Sequence, residues 1–235
     1  MARTDILFFA GIKHSGKTTM ARLCAKRLGI PHYDSDDILL ETIKADYPDI
    51  RNFYRDAGPE QFKNREAKAL RDFIGNLSCD DVPSDTGVDS SAVPTSSSSA
   101  NPPTPESTPE STATPFLANV HAKDADERRM PRMIIALGGG ACDNDELMDI
   151  VHQNGTSCYL AHDPQVLLRR ILRHGVPPFL DTADIEGSFA KLYVRRDGLY
   201  RSGCDFVIQL PDCENPEETC SFLLESLEKA MEAID

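Results

Sequence analysis

The feature that most restricts how this chain can fold is a glycine-rich loop near its N-terminus. Residues 11–18 read Gly-Ile-Lys-His-Ser-Gly-Lys-Thr and match the pattern G-x-x-x-x-G-K-[ST] in full. An apolar run, Ile6–Ala10, precedes the loop, and residues 18–28 have helical periodicity. Such a loop turns backbone N–H groups toward a phosphate, and the helix N-terminus adds partial positive charge. The sequence therefore predicts a strand, a phosphate-binding loop and a helix, in this order.

The motif also assigns roles to side chains of the loop. We expect Lys17 to neutralise the β- and γ-phosphates of ATP and the Thr18 hydroxyl to ligate Mg²⁺. Lys13 and His14 fill variable positions of the motif, and His14 is expected to face solvent or to cap. The expected nucleotide-binding residues here are Gly11, Lys13, His14, Ser15, Gly16, Lys17, Thr18 and Thr19.

Short apolar runs alternate with helical patterns along the rest of the chain. This alternation predicts an α/β fold, with a doubly wound and mostly parallel β-sheet flanked by helices. We expect strands at residues 6–10, 31–33, 133–137, 157–161 and 206–210. We expect helices at residues 18–28, 59–77, 164–173 and 217–233.

The composition changes abruptly in the middle of the chain. Between residues 82 and 115, Ser, Thr and Pro fill 22 of 34 positions, and there is no aromatic residue, lysine or arginine. Such a segment cannot bury enough apolar surface to offset the entropy of ordering. We therefore expect residues 79–131 to be a disordered insertion within a single domain formed by residues 1–78 and 132–235. A phosphorylated or partner-binding linker is the alternative interpretation.

Charge and cysteine content exclude several classes of partner. The formal net charge of −13 opposes nucleic acids and acidic membrane surfaces, so we expect neither as a partner. No apolar run near the N-terminus is long enough for a signal peptide or a membrane span, and we expect a cytoplasmic protein. The seven cysteines include no CxxC pair, which favours reduced thiols over a zinc site.

Two carboxylates follow the second predicted strand, at the sheet edge where open α/β proteins bind ligands. Asp34 and Asp36 could divide two tasks, one holding metal-bound water and the other a substrate hydroxyl. Alternatively, Asp36 or Asp37 could cap the following helix. We favour the functional role for Asp34 and Asp36, and a capping or solvated role for Asp37.

A run of three glycines directly follows the predicted strand at 133–137. Gly138, Gly139 and Gly140 would present backbone N–H groups where this strand meets the crevice. Consecutive glycines cost stability unless the backbone must approach something closely. A tight turn is the simpler explanation, but it would not need all three.

Taken in order, these motifs resemble the shikimate kinase family over nearly the whole chain outside residues 79–131. The family's signature couples a basic residue and a glutamate on a helix to an apolar strand ending in three glycines. Here Lys63 and Glu66 provide the first half, and residues 134–140 provide the second. Further matching features are the Asp34-x-Asp36 pair, Gly58-x-Glu60, Tyr159-Leu160, Arg169-Arg170 and Leu199-Tyr200-Arg201.

This resemblance implies a nucleoside monophosphate kinase-like P-loop fold, with ATP and Mg²⁺ as cofactors and shikimate or a similar hydroxy acid as substrate. Asp34 would hold the magnesium hydration shell, and Asp36 would orient or deprotonate the attacking hydroxyl, so that Lys17 and Asp36 would be the catalytic residues. Lys63 would stand where the family usually has a carboxylate-binding arginine, and Arg196 would match a second one. Gly138, Gly139 and Gly140 would also contact the substrate, while Arg170 and Pro216 would flank the adenine. The resemblance also implies a monomer.

One segment departs from the family pattern. The family's lid carries an arginine that reaches the transferring phosphate, whereas Pro177 occupies that position here. Arg173 or His174 could supply a cation from one turn earlier, although a solvated helix end is the commoner fate of such residues. Two other functions therefore stay open: a kinase of another sugar acid or polyol, and a nucleotide-binding protein that has lost phosphotransfer.

Overall fold

The computed structural model describes residues 5–77, 131–177 and 179–232, all of which belong to one compact unit. The expected insertion at 79–131 thus lies almost entirely outside the described residues. The strands are β1 (Ile6–Ala10), β2 (His32–Asp34), β3 (Met133–Ala136), β4 (Thr156–Ala161) and β5 (Phe206–Gln209). The helices are α1 (Lys17–Leu28), α2 (Ser35–Ile43), α3 (Ile50–Gly75), α4 (Asp145–Asn154), α5 (Pro164–His174), α6 (Ile185–Gly203) and α7 (Pro216–Glu232), with one 3₁₀ turn at Ala141–Asp143.

The strands form one parallel sheet in the order β2-β3-β1-β4-β5. β1 is central, and all five of its residues are buried, as expected for a strand covered on both faces. Because all strands run the same way, their carboxyl ends meet at one edge. The chain segments that follow β1, β2 and β3 therefore converge, and each carries residues that the sequence marks as functional.

Alternate residues of the strands pack into two separate cores, one on each face of the sheet. Ile6, Phe8 and Ala10 lie in the core covered by α3, α4, α5 and α6. Leu7 and Phe9 lie in the opposite core, covered by α1 and α7. A third, smaller cluster joins α2 to α3 through Leu39, Ile43, Phe53 and Ala69. The predicted doubly wound α/β fold is confirmed.

The structure also contains elements that the sequence analysis missed. α4 and α6 were not predicted, and α3 begins nine residues before the expected start at residue 59. Asp49 caps this earlier start by accepting a hydrogen bond from the Asn52 N–H at 2.8 Å. The predicted start at residue 59 coincides with a break within α3, where Gly58 has a φ of 80° and is followed by Pro59.

Candidate active site

The glycine-rich loop joins β1 to α1, as predicted. Gly16 precedes α1 with a φ of 82°, a left-handed conformation that favours glycine. A Cβ atom on Gly11 would lie 2.7 Å from Ser15 Oγ and 3.1 Å from the Leu160 carbonyl oxygen. The two glycines of the motif therefore allow a turn that larger residues would distort.

Lys17 is the first residue of α1, and it is buried inside the loop. Its Nζ donates hydrogen bonds to the Ile12 carbonyl oxygen at 3.2 Å and to Ser15 Oγ at 3.4 Å. Burial lowers the pKa of Lys17 to about 8, while the charges of Asp36 and Asp34 act in the opposite direction. The ammonium group thus stays mainly protonated at neutral pH, and a bound phosphate would favour the charged form further.

Thr18 and Asp34 come together across the site. The Thr18 hydroxyl donates a hydrogen bond to Asp34 Oδ2 at 2.7 Å, and the other carboxylate oxygen accepts from the Asp36 N–H at 2.9 Å. Asp34 is therefore also the N-cap of α2. The capping role considered for Asp36 or Asp37 was wrong, because α2 begins at Ser35, before either residue. Asp37 is exposed, which fits its alternative solvated role.

Asp36 lies beside the first glycine of the triplet. A Cβ atom on Gly138 would meet Asp36 Oδ1 at 2.9 Å and Glu66 Oε1 at 3.3 Å. Although Asp36 as a residue is exposed to solvent, partial desolvation of its carboxylate, followed by the Asp34 charge, raises its pKa, and Lys17 opposes this. The glycine therefore lets β3 approach a carboxylate with an increased affinity for a proton.

Arg196 of α6 contacts the other two glycines. Its Nη1 donates to the Gly139 carbonyl oxygen at 3.1 Å, and a Cβ atom on Gly140 would lie 3.1 Å from its Nη2. Its Nε and Nη2 both donate to Asp143 Oδ2, at 3.0 and 2.7 Å. Burial alone would raise the pKa of Asp143, but hydrogen bonds and charges of Arg195 and Arg196 outweigh it and lower the pKa. Asp143, which the sequence analysis missed, thus fixes the orientation of Arg196.

Glu66 of α3 and Asn144, the N-cap of α4, form a buried polar pair next to Gly138. Asn144 Nδ2 donates to Glu66 Oε2 and to the Lys63 carbonyl oxygen, both at 2.9 Å. Burial raises the pKa of Glu66 to about 7, while the Asn144 hydrogen bond acts in the opposite direction. Lys63 is half-buried and close enough to Glu66 for its charge to lower that pKa. Glu66 was noticed only as part of a sequence signature, and Asn144 was missed.

Arg170 of α5 and His162, just before α5, contact the backbone of the glycine-rich loop. Arg170 Nη1 donates to the His14 carbonyl oxygen at 3.2 Å and lies 3.3 Å from His162 Nε2. His162 is 2% exposed, and its Nε2 lies 2.9 Å from the Ser15 carbonyl oxygen. The sequence analysis missed His162, because a single histidine after a strand is not a recognisable signal.

His14 was expected to face solvent or to cap, and this expectation was wrong. Its ring stacks against that of His174, with centroids 5.9 Å apart and planes at 18°. Its Nε2 is buried without a hydrogen-bond partner among the residues that the structure describes. His14 also has a φ of 67°, a left-handed conformation that residues other than glycine rarely adopt.

The segment after α5 places no arginine at the site. Pro177 is buried, while Arg173 and His174 are exposed. Phe179 covers Arg196 instead, with its ring centroid 5.4 Å from the guanidinium carbon. An aromatic face over a cation is favourable and shields the guanidinium from water.

Two predicted nucleotide residues lie at the periphery. Thr19 is half-buried in the first turn of α1, and Pro216 is exposed at the start of α7. Arg169 pairs with Asp212 at 2.5 Å, which connects α5 to the loop that leads to Pro216. A cavity of about 480 Å³ borders Thr18 and Asp34 and extends between α2 and α3, but Asp36 and Arg196 do not line it.

Comparisons with known proteins point to one family. The family model described as Shikimate kinase matches residues 13–80 and 122–228. A shikimate kinase of Cupriavidus pinatubonensis is 28% identical over 203 residues, which cover 86% of this chain and 76% of that protein. A shikimate kinase of Neisseria gonorrhoeae is 24% identical over 223 residues, or 95% of this chain and 96% of that protein.

Solved structures share the fold. A shikimate kinase from Acinetobacter baumannii in complex with shikimate superposes with a TM-score of 0.64 at 18% identity, covering 96% of this chain and 94% of that one. A shikimate kinase from Bacteroides thetaiotaomicron gives 0.60 at 17% identity, covering 95% and 98%. No helix in the described part of the chain is long and apolar enough to cross a membrane.

Proposed function

This chain belongs to the shikimate kinase family, and from this we propose that it transfers the γ-phosphoryl group of ATP to a ring hydroxyl of shikimate. The observation that supports the proposal is the meeting, at the carboxyl edge of the sheet, of the three chain segments that follow β1, β2 and β3. The first two carry Lys17 and the hydrogen-bonded pair of Thr18 and Asp34, and Asp36 lies beside Gly138 of the third. A protein that only bound nucleotide would not need the second carboxylate.

ATP, the phosphate donor, would bind in the glycine-rich loop. The backbone N–H groups of the loop and Lys17 would hold the β- and γ-phosphates, which fits the close approach that Gly11 allows. Arg170, which contacts the His14 carbonyl oxygen, would flank the adenine together with Pro216. Lys13, His14, Ser15 and Thr19 complete the proposed nucleotide contacts.

The pair of Thr18 and Asp34 fits Mg²⁺. This ion prefers oxygen ligands and is commonly held by one or two protein groups together with the phosphates of the nucleotide. No cluster of three or more His, Cys, Asp or Glu in the described residues could form a complete protein cage. When bound, Mg²⁺ would offset the negative charge of the transferring phosphate oxygens.

The acceptor would lie between the glycine triplet and Arg196. Its carboxylate would pair with Arg196 and Lys63, and backbone groups of residues 138–140 would contact its ring. Asp36 would then face the reacting hydroxyl. In the transfer, the hydroxyl oxygen forms a bond to the γ-phosphorus while the bond from that phosphorus to the bridging oxygen breaks. The bridging oxygen keeps the electron pair as ADP leaves, and the hydroxyl proton passes to the Asp36 carboxylate.

We further propose a cytoplasmic monomer. All residues assigned above come from one chain, so no second copy is needed to complete the site. The six cysteines of the described residues are free thiols, which fits a reducing compartment. Light scattering coupled to size-exclusion chromatography would measure the mass in solution, and the mass of a dimer would contradict the proposed monomer.

The proposed function is tested by following ADP release with the purified full chain and a panel of hydroxy acids. Shikimate should be phosphorylated in the presence of Mg²⁺, and phosphate should appear on the ring in the product. Asp36→Asn should abolish the transfer, because an amide cannot accept the hydroxyl proton. Lys17→Ala should remove most nucleotide affinity or turnover. Consumption of another hydroxy acid, with none of shikimate, would contradict the proposed substrate but not the kinase chemistry.

A further inference from the structure

Lys13 of the glycine-rich loop lies against the glycine triplet. A Cβ atom on Gly139 would be 2.9 Å from the Lys13 backbone nitrogen, 3.0 Å from its Cα and 3.1 Å from its Cβ. Only glycine at position 139 permits this contact. The contact fixes Lys13 where the loop proposed to bind phosphate meets the strand end proposed to bind the acceptor.

The charge of Lys13 acts on both ends of the proposed reaction path. It lowers the pKa of Asp36, after the larger effects of desolvation, Asp34 and Lys17. It also lowers the pKa of Lys17, after desolvation and the opposing effects of Asp36 and Asp34. Lys13 itself is half-buried and forms no ion pair with a residue that the structure describes. Its ammonium group is therefore not committed to a carboxylate of the described residues.

The described residues 173–177, at the end of α5 and just after it, place no comparable cation at the site. Pro177 is buried and uncharged, and His174 is engaged in the stack with His14. Arg173 is exposed at the end of α5. Arg196 is directed to Asp143 and to the Gly139 carbonyl oxygen, which suits an acceptor carboxylate. Lys17 and Lys13 are the two cations that act most strongly on Asp36.

We propose that Lys13 is a catalytic residue that contacts the transferring phosphoryl group between Lys17 and Asp36. The inference rests on the proposed function and assigns a further residue to the same site. During transfer, negative charge is spread over the equatorial oxygens of the phosphoryl group, and a fixed cation stabilises it. Lys17 contacts the phosphoryl group while it is still bonded to ADP, and Lys13 contacts it as it moves toward the acceptor hydroxyl.

The test compares Lys13→Met with Lys13→Arg in the full chain. Methionine keeps most of the length and removes the charge, whereas arginine keeps the charge. Lys26→Met is the matched control, because Lys26 is exposed at the other end of α1. Kinetics are measured with ATP and shikimate varied separately, and ADP affinity and thermal unfolding are measured on the same samples.

We expect Lys13→Met to lower kcat on the order of a hundredfold, the effect of removing one donor to a developing anion. The KM for each substrate, ADP affinity and thermal midpoint should change little, since the charge acts mainly in the transition state. Lys13→Arg should retain about a tenth of kcat or more, because it keeps the charge. Lys26→Met should behave as the wild-type chain.

Two outcomes would overturn the inference while leaving the proposed function intact. One is an unchanged kcat in Lys13→Met. The other is a raised KM for shikimate with kcat retained, which would make Lys13 an acceptor-binding residue. A wild-type chain that transfers no phosphate to shikimate would overturn the proposed function and this inference together, so the wild-type assay separates the two failures.

Discussion

At the scale of single residues, Glu66 is a buried carboxyl group whose ionisation is linked to folding. It is 6% exposed, and burial raises its pKa to about 7 from an ordinary value of 4.5. The folded chain therefore binds this proton more tightly than the unfolded chain does. The resulting contribution to stability is fully present below about pH 4.5 and is lost as the pH rises through about 7.

Glu66→Gln should remove this dependence. The amide oxygen can still accept the Asn144 hydrogen bond, but the side chain does not titrate. Relative to wild type, the variant should gain up to about 3 kcal/mol of unfolding free energy between pH 4.5 and pH 8. Urea denaturation across this range measures the difference, and Glu60→Gln, an exposed position on the same helix, is the control. A constant difference for Glu66→Gln would contradict the linkage.

Asp143 is a positioning residue for Arg196. Asp143→Ala would remove the two hydrogen bonds from Arg196 to Asp143 and their ion pair, and would leave the guanidinium with the Gly139 carbonyl oxygen and the Phe179 ring. We expect the KM for shikimate to rise about tenfold, with kcat changed less than about threefold, because substrate binding is affected more than the chemical step. Arg195→Ala removes the other partner of Asp143 and should leave KM nearly unchanged. A fall in kcat at constant KM would argue against this role.

From the sequence, residues of the candidate site could be identified only where they belonged to a motif or directly followed a predicted strand. Lys17, Thr18, Asp34 and Asp36 could be found in this way, and the structure brings them together. Asp143 and His162 could not, because their partners are distant in sequence: Asp143 meets α6 and His162 meets the glycine-rich loop. Such roles depend on packing that no local pattern encodes.

At the scale of elements, the start of α2 combines a structural role and a proposed metal-binding role in one side chain. Asp34 caps the helix and accepts the hydrogen bond from Thr18. Asparagine is as good an N-cap as aspartate, whereas alanine is poorer by about 1 kcal/mol. Two substitutions at this position can therefore separate the two roles.

Asp34→Asn should keep the stability of the fold but weaken the response of activity to Mg²⁺, because the anionic oxygen is lost. Asp34→Ala should show the same weakening and, in addition, lose about 1 kcal/mol of unfolding free energy. Thermal or chemical unfolding and Mg²⁺ titrations of activity measure the two effects separately. If Asp34→Asn retains the wild-type Mg²⁺ response, the proposed metal role is contradicted.

Elements were predictable where their apolar pattern was strong. The five strands were found within about one residue. β1, β3 and β4 are nearly continuous buried runs, as is typical of parallel strands, whereas β2 and β5 are only partly buried. α6 has only Phe189 and Tyr200 fully buried over 19 residues, too sparse a pattern to recognise. α4 could have been found, since Asn144 caps it and Leu147, Ile150 and Val151 have helical spacing.

At the scale of the whole molecule, the chain between α3 and β3 can be shortened as a test of the domain proposal. Residues 81–121 fall between the two segments that the family model matches. Replacing residues 80–125 with a short Gly-Ser linker should preserve the thermal midpoint within a few degrees and retain ATP binding, since each halving of loop length changes the closure cost by only about 0.6 kcal/mol. Unfolding or loss of nucleotide would show that the segment is structural.

The strand order also determines when the sheet can form during synthesis. β1 and β2 both lie in the first 34 residues, yet they are not neighbours, because β3 is inserted between them. Ile6 pairs with Met133, so β1 has no partner on either side until the second half of the chain has left the ribosome. A nascent chain that stops before β3 can form α1, α2 and α3 but none of the strand pairs of the described sheet. Folding is therefore governed by long-range contacts, and we expect it to be slow for a chain of this size.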